Sequence, residues 1–257
     1  MRNIIPDFIL KQYCQKKFKG NFKAVAMFLD ISGFTPMTEE LMKNGKEGVE
    51  VLSDIISNIF SPAIDIVHSN GGFISTFAGD AFTAIFEVDG NKDKDLMTEH
   101  LLLAEKIKIA FKKISSQKTK FGNHNLSLKL GMSFGDIDWG IIMHEKKLHY
   151  YFKGEAIDQS AENQQDACNN EIIFDEIVRN NINEEWFEIA VKGKEIKTYK
   201  LLNSKQNKKK LPHKLENNYD SVSDIDFSDC VHKSISEMNS HGEFREVAIC
   251  AVSFEPT

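Results

Sequence analysis

The sequence predicts an α+β domain in the split βαβ, or ferredoxin-like, arrangement, with an antiparallel-rich sheet and helices on one face. Three observations predict it. Short apolar, partly β-branched runs alternate with two longer segments of helical periodicity. Glycine-containing turns separate them, in the order strand, helix, strand, strand, helix, strand. The chain of 257 residues, 41% hydrophobic and 27% charged, is long enough to bury such a core.

The first strand is predicted at "FKAVAMFLD", residues 22–30, because turn residues follow Asp30 at once. Apolar residues then recur at three- and four-residue spacing between Val49 and Val67, which predicts an amphipathic helix ending at Asn70. Pro62 lies inside this pattern and is expected to kink the helix or divide it.

The next two strands are predicted at "FISTF" and "AFTAIFE", which form a hairpin around Gly79 and Asp80. A second amphipathic helix follows around residues 101–114. The segment "LSLKLGMSFGDIDWGII" predicts two strands divided at Gly135, and "LHYYFKGEAIDQSAENQQDAC" predicts a strand that leads into a helix.

Composition divides the chain into four segments. Residues 1–20 are interpreted as a leader, 21–202 as the folded domain and 203–242 as a polar linker. Residues 243–257 return to strand composition in "REVAICAVSFE". A lone terminal strand has few places to bury its side chains, so we expect it to open a second domain that continues past Thr257.

Charge and cysteine content exclude several classes of protein. A net charge of −6 without a long basic face argues against nucleic acid as a partner. The four cysteines form no C-x-x-C pair, which argues against a disulfide framework and a structural zinc site. No apolar run approaches the roughly 20 residues of a membrane span, so the expected location is the cytoplasm.

Asp30 and Asp80 are the candidate metal ligands. In a split βαβ sheet the first and third strands are antiparallel neighbours, so the end of one strand lies beside the start of the other. Two carboxylates at one sheet edge suit Mg²⁺ or Mn²⁺, with water and phosphate oxygens completing the shell. The turn "ISGFT" offers backbone N–H groups for a polyphosphate. Taken singly, Asp30 is better explained as an N-cap or turn residue and Asp80 as a hairpin-turn residue. Taken together, at matched strand ends, metal binding is the better explanation.

The motifs "FLDISGFTPMTEE" and "GGFISTFAGDAFTAIF" resemble those of class III nucleotidyl cyclases. The resemblance extends from residue 5 to about 200, includes "LKLGMSFGDI" and "FKGEAIDQSAENQQ", and is closest to the first catalytic half of the bicarbonate-responsive soluble adenylyl cyclases. It implies conversion of ATP to cyclic AMP and pyrophosphate with two Mg²⁺ or Mn²⁺ ions. ATP rather than GTP rests on this resemblance alone.

The resemblance also assigns roles to individual positions. Asp30 and Asp80 match the catalytic, metal-binding aspartates, and Ile31 matches a residue whose carbonyl adds a further metal ligand. The positions that match nucleotide contacts are Gly33, Phe34, Thr35 and Lys129, of which the lysine matches a contact to the terminal phosphate. Without the neighbouring motif, an ordinary exposed strand lysine would be the preferred explanation of Lys129.

Residues that the other half of the family's active site supplies are missing from this chain. Thr76, Asp158 and Glu162 stand where that half has a lysine, an asparagine and an arginine. The expected partner is therefore a complementary cyclase half, on the same natural chain or in a heterodimer. Thr76 and Ala161 replace the residues implied in bicarbonate binding, which argues against direct bicarbonate sensing.

Two alternatives to the metal-binding half of an enzyme remain open. The chain can instead be a catalytically silent cyclase-homology domain with a regulatory or structural role, for example in a cilium. It can also be a generic nucleotide-binding domain with another reaction.

Overall fold

The computed structural model describes residues 5–88, 94–144, 147–193 and 197–205. The helices are α1 (Asp7–Cys14), α2 (Phe34–Met42), α3 (Gly45–Ser69), α4 (Lys94–Ile114), α5 (Glu155–Gln165) and α6 (Glu176–Asn180). The strands are β1 (Lys19–Ser32), β2 (Phe73–Ala78), β3 (Ala81–Glu87), β4 (Ser116–Thr119), β5 (Gly122–Asn125), β6 (Ser127–His144), β7 (Lys147–Lys153), β8 (Ile172–Phe174), β9 (Phe187–Val191) and β10 (Tyr199–Ser204).

One mixed sheet organises the fold, in the strand order β2-β3-β1-β6-β8-β10-β9, with β7 paired to β6. The β6–β8 pair is parallel, whereas β1 is antiparallel to both β3 and β6. A separate hairpin joins β4 and β5. The α+β class and the antiparallel pairing of the first and third strands of the split βαβ unit are therefore confirmed.

Helices cover both faces of the sheet. Side chains along β1 alternate between the two faces, so each face has its own core. Val25, Met27 and Leu29 belong to the larger core, together with residues of α2, α3, α4 and α6. Ala24 and Ala26 belong to a second core, which includes α1 and the start of α5. The larger core lies on the predicted helical face, and α1 and α5 add cover to the other.

Helix α1 lies within the segment interpreted as a leader. Its Phe8 is buried, stacks on Phe73 at 5.3 Å and meets the Trp139 ring edge-on at 5.3 Å. Burying such a side chain contributes about 2 kcal/mol. The predicted segment boundaries stay predictions, and residues 206–257, with the linker from 206 onward and the terminal strand, lie outside the described residues.

Two sequence expectations are wrong in detail. Strand β6 runs without a break through Gly135, which pairs with Ala24 of β1. This glycine allows α5 to approach rather than ending the strand, since a Cβ there would lie 3.3 Å from the backbone nitrogen of Ala156. The expected division of α3 at Pro62 is also wrong, since the helix is continuous over Gly45–Ser69, and the alternative, a kink at Pro62, stays a prediction.

By length and composition alone, α3 is the one helix in the described ranges that is long and apolar enough to cross a membrane. Its buried face, which includes Leu52, Ile59 and Val67, packs in the larger core. The core helix of a folded domain passes the same test of length and hydropathy.

Gly131 allows α5 to lie directly on β6. A Cβ at this position would come within 2.0 Å of the Ser160 carbonyl oxygen and 2.3 Å of the Gln164 backbone nitrogen. Backbone atoms cannot yield as a side chain can, so Gly131→Ala is expected to lower the free energy of unfolding by about 3 kcal/mol in urea denaturation. Gly135→Ala is the matched control and should lower the free energy of unfolding clearly less. Equal losses of stability in the two variants would contradict this explanation of the packing.

His100 is a buried histidine of α4 that packs edge-on against the Phe86 ring. Its Nδ1 lies 2.8 Å from the carbonyl oxygen of Leu96, to which the neutral ring donates. Its Nε2 has no hydrogen-bond partner among the described residues. Burial lowers the pKa of His100 from 6.5 to about 4, because the charged ring would lose its hydration.

This lowered pKa predicts acid sensitivity. In the unfolded state His100 is protonated below about pH 6.5, whereas in the folded state it stays neutral down to about pH 4. Stability therefore falls as the pH falls through this window. We expect the free energy of unfolding to drop by about 2 kcal/mol between pH 7 and pH 5 from this residue. Urea denaturation of His100→Leu should show a correspondingly flatter pH dependence, while the exposed control His149→Leu should keep the original slope. Equal slopes in the two variants would refute this assignment.

Candidate functional site

Asp30 and Asp80 meet at one edge of the sheet, as the sequence predicts. Asp30 of β1 pairs with Ala81 of β3, and Asp80 immediately precedes Ala81 in the tight turn from β2. Gly79 takes the left-handed conformation, φ 65°, that this turn requires. Burial raises the pKa of the Asp30 carboxyl, and the charge of Asp80 raises it further.

Lys129 lies on the other side of Asp30. It is the residue of β6 that pairs directly with Asp30, and its positive charge lowers the Asp30 pKa against the two raising effects. The backbone N–H of Ile31 also stabilises the ionised carboxylate. The structure thus brings together two carboxylates and a half-buried lysine, from β1, from the β2–β3 turn and from β6.

The predicted phosphate-binding turn lies between β1 and α2. Gly33 is the N-cap of α2, with φ 91°, and no side chain caps the helix. A Cβ at Gly33 would lie 2.9 Å from the carbonyl oxygen of Asn125, so both the conformation and the β5 backbone require glycine here. The first turn of α2 contains no acidic residue, which leaves the positive end of the helix dipole uncompensated.

Phe34 and Thr35 have different environments. The half-buried Phe34 ring packs edge-on against Phe60 of α3, with ring centroids 6.4 Å apart, and thereby fixes the turn to the core. Thr35 is exposed. Phe34 is therefore an anchor for the turn, and Thr35 keeps its side chain accessible to a ligand.

Gln164 is a polar contact of the site that the sequence did not reveal. Its Nε2 donates to Asp30 Oδ2 at 3.1 Å from the C-terminal end of α5. The two residues are separated by 134 positions in the chain. A single sequence carries no signal for such a pair, since it depends on how closely α5 approaches the sheet.

The oxygen ligands present fit a hard divalent cation. Two carboxylates are too few for a full all-protein shell, but Mg²⁺ usually keeps waters and substrate phosphates among its ligands. The Ile31 carbonyl stays a predicted further ligand. Across the described ranges no group of three or more His, Cys, Asp or Glu side chains is placed to hold a metal.

Residues 19–204 match the family described as adenylate and guanylate cyclase catalytic domain. The chain belongs to this family. The cyclase domain is 30% identical over 174 residues to human adenylate cyclase type 10, covering 66% of this chain and 11% of that protein. It is 28% identical over 178 residues to an adenylate cyclase of Anabaena cylindrica, covering 66% of this chain and 33% of that protein. The chain thus corresponds to only a fraction of each relative's length.

Solved cyclase structures share the fold of this cyclase domain. The adenylyl cyclase CyaB of P. aeruginosa superposes with a TM-score of 0.56 at 19% identity, over 73% of this chain and 97% of that one. A bacterial light-regulated adenylyl cyclase gives 0.61 at 18% identity, over 77% and 58%. The guanylate cyclase domain of RhGC from Catenaria anguillulae, solved with GTP, gives 0.57 at 16% identity, over 72% and 100%.

The positions at which the family's other half has a lysine, an asparagine and an arginine lie on β2 and α5 of the cyclase domain. Thr76 is exposed on β2 and lines a groove of about 1100 Å³ between α1, α3, β2, β7 and α5. Neither Asp30 nor Asp80 lines this groove. Asp158 and Glu162 are exposed on α5. These three side chains add no positive charge to the surface of the cyclase domain.

Proposed function

We propose that this cyclase domain is the metal-binding half of an adenylyl cyclase that converts ATP to cyclic AMP and pyrophosphate with a complementary second half. The observation that carries the proposal is the convergence of Asp30 and Asp80 at adjoining strand ends, beside an uncapped helix start. The choice of ATP is supported by the relatives named adenylate cyclase. Two metal ions, Mg²⁺ or Mn²⁺, are part of the proposal.

Asp30, Asp80 and the Ile31 carbonyl would hold the metal ions. When bound, such ions lower the pKa of the attacking 3′-hydroxyl group and neutralise charge on the phosphates. Burial, and after it the like charge of Asp80, raises the pKa of the Asp30 carboxyl, and a bound cation would offset the repulsion between the two aspartates.

The remaining residues of the site would position the triphosphate. The start of α2 presents backbone N–H groups, with Gly33 permitting close approach of a phosphate. Lys129 supplies a positive charge beside Asp30, where a terminal phosphate can be paired. Phe34 anchors this turn to α3, so the N–H groups keep their direction.

The complementary half would supply the groups that this chain lacks. Thr76, Asp158 and Glu162 provide no cation to stabilise charge that develops on the phosphates during the reaction. Carboxylates at positions 158 and 162 would repel a phosphate. A symmetric pair of these chains would therefore bind metal and nucleotide while catalysing poorly.

A catalytically silent cyclase-homology domain with a regulatory or structural role is the second candidate. The observation that favours it is the same replacement by Thr76, Asp158 and Glu162, which also suits a domain without any catalytic partner. Both candidates can bind nucleotide, so turnover with a complementary half separates them.

The proposal is tested by calorimetric titration of the purified chain with a non-hydrolysable ATP analogue, with and without Mn²⁺. We expect the analogue to bind clearly more tightly in Mn²⁺ than in chelator. Affinity that is the same in both conditions would exclude a metal-binding half.

A further inference from the structure

Gln164 is the side chain of α5 that reaches the candidate metal site. Its amide Nε2 lies 3.1 Å from Oδ2 of Asp30, and only 9% of the residue is exposed. A buried amide must find hydrogen-bond partners, and here the donor finds a carboxylate oxygen. A hydrogen bond to an ionised acceptor is roughly twice as strong as one between neutral groups.

The backbone position of Gln164 is fixed by two neighbouring contacts. Gly131 lets α5 approach so closely that a Cβ there would lie 2.3 Å from the Gln164 nitrogen. The buried Asn163 donates from Nδ2 to the carbonyl oxygen of Met132 at 2.9 Å. The last turn of α5 is thus held on β6, and the Gln164 side chain extends from a rigid support.

We propose that Gln164 is a positioning residue for Asp30, which holds one carboxylate oxygen so that the remaining lone pairs stay directed to a divalent metal ion. The inference rests on the proposed function, because it takes Asp30 as a metal ligand. Partners that orient a metal ligand from outside the coordination shell typically change metal affinity by 10- to 100-fold when they are removed. Gln164 contacts Asp30 and is not among the positions that the resemblance assigns to metal or nucleotide.

A purely structural role makes a different prediction from a positioning role. If the Gln164 hydrogen bond only fastens α5 to the sheet, its loss lowers thermal stability and weakens every kind of ligand binding together. If it orients Asp30, its loss weakens Mn²⁺-dependent binding selectively, while metal-free nucleotide affinity and melting temperature stay near their original values.

The experiment compares Gln164→Met with Gln165→Met. Methionine is unbranched, of similar length and compatible with a helix, but it cannot donate a hydrogen bond. Gln165 is the exposed neighbour on the same turn, so its substitution tests the chemical change without the contact. Each variant is titrated by calorimetry with a non-hydrolysable ATP analogue, in Mn²⁺ and in chelator, and its melting temperature is measured.

We expect Gln164→Met to bind the analogue in Mn²⁺ about 10- to 100-fold more weakly than the original chain, and Gln165→Met to match the original chain. Gln164→Asn, which keeps the amide but is one methylene too short, should lose affinity in the same direction. If Gln164→Met does not fold, the Mn²⁺-dependent affinity of Gln164→Asn tests the positioning role instead.

Unchanged Mn²⁺-dependent affinity in the Gln164 variants would overturn the inference, as would equal losses with and without Mn²⁺ at a lowered melting temperature. Failure of the proposed function looks different. In that case the original chain shows no Mn²⁺-dependent binding, or Asp30→Ala retains it in full.

Discussion

Asp30→Ala and Asp80→Ala are each expected to weaken Mn²⁺-dependent nucleotide binding by at least about 100-fold. A ligand in direct contact with the metal should matter at least as much as its outer partners, whose loss costs 10- to 100-fold. Both side chains lie at strand ends and neither belongs to a hydrophobic core, so the melting temperature should change little. Calorimetric titration with a non-hydrolysable ATP analogue measures the effect.

Asp54→Ala is the matched control for these variants. It removes the same charge from the exposed side of α3, away from the sheet edge that carries the site. The control should bind as the original chain does. If all three variants keep the original affinity in Mn²⁺, the two aspartates are turn residues and the metal site lies elsewhere.

The purified chain alone should form cyclic AMP from Mg-ATP at a rate at least about 100-fold below that of the same chain mixed with a complementary cyclase half. Removal of one group that stabilises developing charge typically costs 10²- to 10³-fold in turnover. This chain lacks the adenine-reading lysine that the resemblance implies, at Thr76, and the asparagine and arginine that steady the ribose and the transition state, at Asp158 and Glu162. The expected difference is therefore large. Cyclic AMP production is measured with each half alone and with both together.

The partner half for this assay must carry the lysine, the asparagine and the arginine. Asp80→Ala in this chain is the control, since it should abolish the activity of the mixture. Rapid turnover by the chain alone would show that other positions of this chain do the work of the lysine, the asparagine and the arginine. Nucleotide binding without turnover in the mixture would instead favour the silent cyclase-homology domain.

The sequence predicted the elements whose pattern is local. Strand β1, helix α3 and the β2–β3 hairpin followed from apolar periodicity and from turn residues such as Gly79. Gly135 was misinterpreted as a strand end because its role is tertiary, in letting Ala156 of α5 approach. The β4–β5 hairpin was missed, since its two four-residue strands are polar and only His124 among them is buried.

The site was predictable as far as it follows strand pairing. Antiparallel neighbours bring Asp30 to Asp80, and the β1–β6 register brings Lys129 opposite Asp30. The contact from Gln164 was not predictable, because it depends on the distance between α5 and the sheet. Gly131 sets that distance because it has no side chain, and a single glycine adds nothing to the apolar periodicity from which helices and strands are predicted.

The most direct test of the metal-binding site is a crystal structure of the chain grown with Mn²⁺ and a non-hydrolysable ATP analogue, with anomalous scattering recorded to locate manganese. The account predicts manganese in contact with carboxylate oxygens of both Asp30 and Asp80, at the 2.0–2.3 Å typical of metal–oxygen bonds to such cations, with the phosphates against the start of α2. Manganese bound by other residues, with both of these carboxylates free of metal, would contradict it.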